Sequence, residues 1–143
     1  MEINRTGSAA WAGGIKDGKG SISTESGALK AYPYGFSSRF EGLPGSNPEE
    51  LIGAAHAACF TMALSLILTE AGLKADTMTT TAKVTLSKVE GGWAITASHL
   101  KLTAQVPGTD QATFEGLAAK AKAGCPVSKL MNASISLSAT LVS

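Results

Sequence analysis

A chain of 143 residues, 44% hydrophobic and 16% charged, is long enough to build one core of its own, and its formal net charge of +1 leaves no basic stripe for nucleic acid or an anionic membrane surface. Two cysteines in a chain of this size argue against a disulfide-stapled scaffold, and with two histidines they lack any finger-like spacing, so no metal site is expected. Small neutral ligands suit such a composition best.

The N-terminal MEINRTGSAAWAGG carries an acid at position 2 and no apolar leader, which predicts a cytoplasmic protein. Residues 1–40 are rich in Gly, Ser and Thr, with turn signals at Gly13-Gly14 and Asp17-Gly18-Lys19-Gly20, and predict two or three short strands in hairpins. The segment Lys16–Ser21 resembles a phosphate loop only on the surface, because Gly20 follows Lys19 where Ser or Thr is required. Phe36 to Glu41 reads as a further strand or an ordered loop, ending at Gly42, Pro44 and Gly45.

A strong helix start follows. Asn47 supplies an N-cap, Pro48 suits N1, and Glu49 and Glu50 place two carboxylates at the positive end of the helix dipole. The helix is expected from Pro48 to about Glu70, closed by Gly72. Alternation of Ala82, Val84 and Leu86, then of Leu100, Leu102, Ala104 and Val106, predicts a long half-buried hairpin turned at Glu90-Gly91-Gly92. A second helix is expected from Thr109 or Asp110 to Lys122, then a short helical turn with Pro126 at N1, and a last strand burying Ile135, Leu137, Ala139 and Leu141. The order predicts one α+β domain over residues 1–143.

The run from Leu51 to Leu68 contains no Asp, Glu, Lys or Arg, which meets the lower length limit of a membrane span. Gly53, His56, Thr61, Ser65 and the many alanines dilute it, and amphipathic strands surround it, so a helix buried inside protein is the expected reading, with no membrane. One sheet covers one face of a helix. A second copy of the chain is therefore expected over the other.

Cys59 lies in the middle of this run, where a free cysteine reads first as an inert core thiol. Cys125, followed by Pro126 at a helix start, has the better intrinsic case for a lowered pKa. His56 sits three residues before Cys59 and about 60° around the helix, which allows a Cys-His pair or a packing histidine bonded to a neighbouring element. His99 falls in a strand pattern without a nameable partner.

These motifs carry a resemblance. Asn47-Pro48-Glu49-Glu50-Leu51, Ala57-Ala58-Cys59-Phe60 and Gly124-Cys125-Pro126-Val127-Ser128 resemble the OsmC/Ohr family of osmotically inducible and organic hydroperoxide resistance proteins. Pro33-Tyr34-Gly35-Phe36 and Arg39-Phe40-Glu41-Gly42 fit the OsmC branch, and the resemblance covers essentially the whole chain. It implies antiparallel sheets packed around a long buried central helix in an intertwined homodimer with active sites at the subunit interface.

It also implies a stress-responsive thiol peroxidase, acting on organic hydroperoxides and more weakly on hydrogen peroxide, without a cofactor. By that similarity Cys59 is the peroxidatic thiolate and Cys125 the resolving thiol, reduced afterwards by a small dithiol of the lipoyl type. The resemblance further assigns an arginine, matched by Arg39, and a glutamate, matched by Glu49, with the guanidinium lowering the Cys59 pKa. Phe36, Phe40, Phe60 and Met62 are the apolar side chains expected to hold an alkyl tail, or simply to pack the core. Glu49 and Cys59 stand roughly 15 Å apart along an ideal helix and about 80° around it, so a shared site calls for Arg39 and Glu49 from the opposite subunit. The competing reading is a non-enzymatic redox sensor or a dimeric binder of apolar ligands.

Overall fold

The computed structural model describes residues 1–142; Ser143, at the end of the expected domain, lies outside the described residues. The chain divides into two compact units, Met1–Leu51 and the remainder from Ile52, with the boundary in the first turns of a long helix.

In the first unit, β1 (Gly7–Ala12), β2 (Lys19–Thr24) and β3 (Tyr32–Tyr34) form an antiparallel sheet in that order. Every residue of β1 is exposed. Phe36 to Phe40, expected as a strand or loop, is instead the short helix α1 (Phe36–Phe40). Ser38 explains the difference: its hydroxyl accepts from Gly35 N–H at 3.0 Å and bonds the carbonyl of Ser46 at 2.8 Å, closing the turn and tying it to the next segment. Gly45, at φ 136°, passes so close that an added Cβ would lie 2.8 Å from the Ser38 Cβ, which restricts the position to glycine.

The long helix α2 (Pro48–Glu70) begins as expected, with Asn47 Oδ1 accepting from Glu50 N–H at 2.8 Å. The second unit contains β4 (Thr77–Val89), β5 (Gly92–Gln105), α3 (Gln111–Gly124), α4 (Pro126–Leu130) and β6 (Ser134–Val142). β4 and β5 form the expected antiparallel hairpin. β6 runs parallel to β5, so this sheet, in the order β4-β5-β6, is mixed rather than wholly antiparallel. The parallel pairing follows from connectivity: α3 and α4 carry the chain back to the end of the sheet from which β5 started.

Asp110 caps α3 by accepting from Thr113 N–H at 2.7 Å, which holds its carboxyl below the usual range. Gln111 covers the free edge of β6, donating to the Ala139 carbonyl and accepting from Leu141 N–H, each at 2.9 Å. Phe60, Leu64 and Leu68 of α2 form the core with Leu100, Leu102 and Ala104 of β5 and with Phe114, Ala118 and Ala121 of α3. Helix and sheet meet closely at Gly53, where a Cβ would lie 3.0 Å from the Ala82 carbonyl, so this glycine serves packing within the chain.

The expectation of a helix buried nearly all round is met on one side only. Gly53, His56, Phe60, Leu64 and Leu68 are buried, while Ala54, Ala58, Met62 and Leu66 are exposed, Met62 at 76% and Leu66 at 61%. By length and composition α2 could cross a bilayer, but its buried stripe is built into a protein core that includes a hydrogen-bonded histidine.

Candidate active site

In the first unit, α1 and the start of α2 present one ion pair. Arg39 Nε and Nη2 both donate to Glu49 Oε1, at 3.1 and 2.8 Å, so the guanidinium grips one carboxylate oxygen rather than both. Pro48 at the helix start and the Asn47 cap fix Glu49 in the first turn, and Asn47 Nδ2 donates to the Ser38 carbonyl at 3.4 Å, joining α1 to that turn. Phe36 and Phe40 pack together with ring centres 5.1 Å apart, and the Arg39 guanidinium lies 5.4 Å from the Phe40 ring. Arg39 is half-exposed and Glu49 mostly covered.

In the second unit, α2 and the junction of α3 with α4 bring the two thiols together. Cys125 ends one helix and starts the next: its N–H donates to the Ala121 carbonyl at 2.9 Å and its carbonyl accepts from Lys129 N–H at 3.1 Å. Cys59 and Cys125 are both free thiols, and they are neighbours that perturb each other's ionisation, with Cys59 packed against the core that contains Cys125. Burial pushes the Cys59 thiol up, and the neighbouring Cys125 pushes it further, against a weaker opposing hydrogen bond from Val127 N–H. Burial also acts to raise Cys125, but the Cys59 thiol, the Ser128 N–H and hydroxyl and the Val127 N–H together outweigh it, and the net direction is down. Within one chain Cys125 is therefore the more acidic thiol, as its place at a helix start predicts.

His56 is the hydrogen-bonded packing residue rather than the direct partner of Cys59. It is fully buried, with Nδ1 2.7 Å from Ser98 Oγ on β5 and Nε2 2.8 Å from Ser128 Oγ on α4. Burial holds its pKa below the ordinary histidine value. His99 is bracketed by the hydroxyls of Ser136 and Ser138 on β6.

The four apolar side chains expected around a substrate fall in different settings. Phe36 lines a groove of about 440 Å³ in the first unit, and Phe40 is exposed beside Arg39. Phe60 lies in the core with no exposure, whereas Met62, on the opposite face of α2, lines an open groove with Ala58, Thr61 and Met78. A different cavity, of about 370 Å³ and almost wholly apolar, is lined by Ile52, Ala55, Ile95, Val127, Leu130 and Met131, with neither thiol in its wall. Val127, two residues after Cys125 in the first turn of α4, forms part of its wall.

Comparison with known proteins places this arrangement. Residues 40–140 match the family model described as OsmC-like protein. The chain belongs to the OsmC-like family. It is 59% identical over 137 residues to Peroxiredoxin OsmC of Escherichia coli (strain K12), covering 96% of both chains. It is 33% identical over 101 residues to the organic hydroperoxide resistance protein of Xanthomonas axonopodis pv. citri, covering 70% of this chain and 69% of the relative. Among solved structures, the organic hydroperoxide resistance protein of Elizabethkingia anophelis superposes with a TM-score of 0.69 at 29% identity, covering 99% of this chain and 98% of that one. OhrB of Bacillus subtilis does so at 0.68 and 26%, covering 96% and 98%.

In this OsmC-family chain, Cys59 and Cys125 are brought together, and so are Arg39 and Glu49. Sequence reasoning missed Ser98, Ser128 and the cavity beside Val127. Ser128 stood in the Cys125-Pro126-Val127-Ser128 motif, and a serine three residues into a short helix beside a buried histidine was the available signal. Ser98 carried a positional signal, since it stands two residues before Leu100 on the face of Leu100, Leu102 and Ala104, but a serine there does not by itself announce a partner.

Proposed function

We propose that Cys59 is the thiol that meets the peroxide and Cys125 the thiol that resolves it. The chain is a thiol-dependent peroxidase acting on organic hydroperoxides, a function supported by its likeness to relatives named a peroxiredoxin and organic hydroperoxide resistance proteins. The observation that carries the residue assignment is the proximity of two free thiols on separate elements, close enough to perturb each other's ionisation. In the first step the Cys59 thiolate attacks one peroxide oxygen; the S–O bond forms, the O–O bond breaks, and the alkoxide leaves as an alcohol with one proton. The resulting sulfenic acid then condenses with Cys125, releasing water and leaving a disulfide. A small dithiol of the lipoyl type restores both thiols by exchange.

The raised pKa of Cys59 in the single chain poses the question of what ionises it. Arg39 answers it as a donated cation, oriented by Glu49 and stabilising charge on both the sulfur and the reacting oxygens. Glu49 and Cys59 are ten positions apart on α2, and we assign Arg39 and Glu49 to act on the Cys59 of a second copy. The uncovered apolar face of α2 supports such a homodimer, as does the full exposure of β1. The cavity at Val127, Leu130 and Met131 suits an alkyl tail better than a small polar peroxide, and a cytoplasmic location suits the free thiols.

The test is peroxide consumption with a dithiol supplied, comparing an alkyl hydroperoxide with hydrogen peroxide. Turnover that favours the alkyl substrate and disappears in Cys59→Ser is the expected result. Stoichiometric oxidation without turnover would instead support a sensor.

A further inference from the structure

The peroxide chemistry described above gives His56 no role, yet it is the only titratable side chain besides Cys125 that is fully buried among the described residues. Both of its ring nitrogens are engaged by serine hydroxyls, one on β5 and one on α4. Ser128, which holds Nε2 at 2.8 Å, is buried in the same first turn of α4 as Cys125, where its side chain favours the Cys125 thiolate. The result is a buried line of groups: the Cys125 thiol, the Ser128 hydroxyl one helical turn on, and the His56 imidazole hydrogen-bonded between Ser128 and Ser98. We propose that His56, acting through Ser128, receives the proton of Cys125 when that thiol condenses with the Cys59 sulfenic acid, making His56 and Ser128 the positioning and proton-relay residues of the resolving step.

The chemistry requires such an acceptor. A thiol attacks sulfur as its thiolate, so the Cys125 S–H bond must break as the S–S bond forms. With Nδ1–H donating to Ser98, Nε2 of neutral His56 accepts from the Ser128 hydroxyl, which leaves the Ser128 oxygen available to take the proton of Cys125 S–H. Shifting two protons along that line leaves a thiolate that accepts from Ser128 and an imidazolium that donates to it. The thiolate attacks Cys59 sulfur and the S–O bond breaks. Cys125 sulfur is oxidised, Cys59 sulfur is reduced, and the departing hydroxide regains one proton as water while His56 returns to neutral.

Burial favours the neutral imidazole before the step, which is the form able to accept. The titratable groups that face this path are the two thiols, Cys59 on α2 and Cys125 at the α3–α4 junction. The buried positions of β5 and α3 around them, Ser98, Leu100, Ala118 and Ala121, are uncharged, and no carboxylate, ammonium or guanidinium is buried among the described residues. The transient imidazolium thus has the Cys125 thiolate as its counter-charge. That pairing ties the proton transfer to the attack.

This inference rests on the assignment of Cys59 as the first thiol oxidised. The experiment is a single turnover of the full chain with an alkyl hydroperoxide, quenched at intervals with a thiol-alkylating reagent and read by intact mass, so that sulfenic acid and disulfide are counted separately. It is run on wild type, His56→Gln and Ser128→Ala. At neutral pH both variants should convert sulfenic acid to disulfide on the order of 10²-fold more slowly than wild type, the contribution typical of a positioned proton acceptor. The deficit should shrink as pH rises through the thiol range, where solvent removes the Cys125 proton. Resolution within about threefold of wild type in both variants, or a slowing by the same factor at every pH, overturns the relay while leaving the peroxidase assignment intact. No oxidation of Cys59 in the wild-type chain overturns both.

Discussion

The thiols of Cys59 and Cys125 are neighbours, and their interaction drives them in opposite directions: it helps to raise Cys59 and helps to lower Cys125. The two form a coupled pair whose titration belongs to both. Removing either sulfur should therefore move the survivor toward an ordinary thiol. Cys59→Ala is expected to raise the pKa of Cys125, which loses an S–H donor, and Cys125→Ala to lower that of Cys59, which loses a neighbour that opposes its ionisation. Thiolate ultraviolet absorbance followed against pH in the two variants reads the signs, and shifts of the same sign would contradict the coupling.

The order of events separates the same two residues kinetically. Cys59→Ser should reduce peroxide consumption to the uncatalysed background. Cys125→Ser should still oxidise once, accumulating a sulfenic acid that a cyclic diketone traps, and then stop unless external thiol is added. If Cys125→Ser abolished the first oxidation and Cys59→Ser did not, the roles would be exchanged, as the acidity order within one chain would favour.

In the proposed site, Arg39 and Glu49 are expected to bear on catalysis more than on stability. Their ion pair is partly exposed, so Glu49→Gln should change folding stability by less than about 1 kcal/mol. Activity is another matter: Arg39→Met removes the only cation assigned to Cys59 and should lower turnover on the order of 10²-fold or more. Mixing Arg39→Met chains with Cys59→Ser chains under exchange conditions decides the geometry. If Arg39 serves the other copy, hybrid dimers regain one intact site and the mixture recovers roughly a quarter of the wild-type sites. No recovery on exchange would place the arginine in its own chain's site.

How much of this was legible beforehand depended on whether a signal was local. Asn47 with Pro48, Glu49 and Glu50 encodes a helix start within four residues, and the structure has the Asn47 cap bond. The alternation in Ala82–Leu86 and Leu100–Val106 encodes one sheet face in the same way. Phe36 to Phe40 failed because its helix is held by Ser38 reaching Ser46 and Gly35, a tertiary tie that no window of five residues contains. The direction of β6 was hidden for a similar reason, since alternation fixes a strand's buried face and says nothing of its orientation. The cysteines were visible as motifs, but their proximity depends on α2 meeting the α3–α4 junction, and His56 needed Ser98 and Ser128 from two further elements before its place could be read.

Acid should expose His56 thermodynamically. Burial lowers its pKa from 6.5, so the unfolded chain binds a proton first as pH falls. The stabilisation is fully present above about pH 6.5 and is lost as pH falls toward the folded value, at a slope of up to about 1.4 kcal/mol per pH unit for one proton. Urea unfolding from about pH 8 to about pH 5 measures that slope, and His56→Gln should be flatter over the same window. Equal slopes in the two proteins would mean that burial does not lower the His56 pKa.

Phe60 and Met62, two positions apart on α2, should respond in opposite ways to substitution. Phe60 is fully buried among Leu64, Leu100 and Phe114, so Phe60→Ala should cost about 3–5 kcal/mol through lost burial and an unfilled cavity. Met62 is exposed on the uncovered face, and Met62→Glu should leave the chain's own folding within about 0.5 kcal/mol. In a dimer packed through that face the new carboxylate would be buried without a partner, at a cost of several kcal/mol per copy. Sedimentation of Met62→Glu should therefore show a folded monomer, and with Arg39 supplied by the second copy it should also show lost peroxidase turnover at low protein concentration. A folded dimer in Met62→Glu would remove this face of α2 from the interface and leave β1, exposed along its whole length, as the surface that joins the copies.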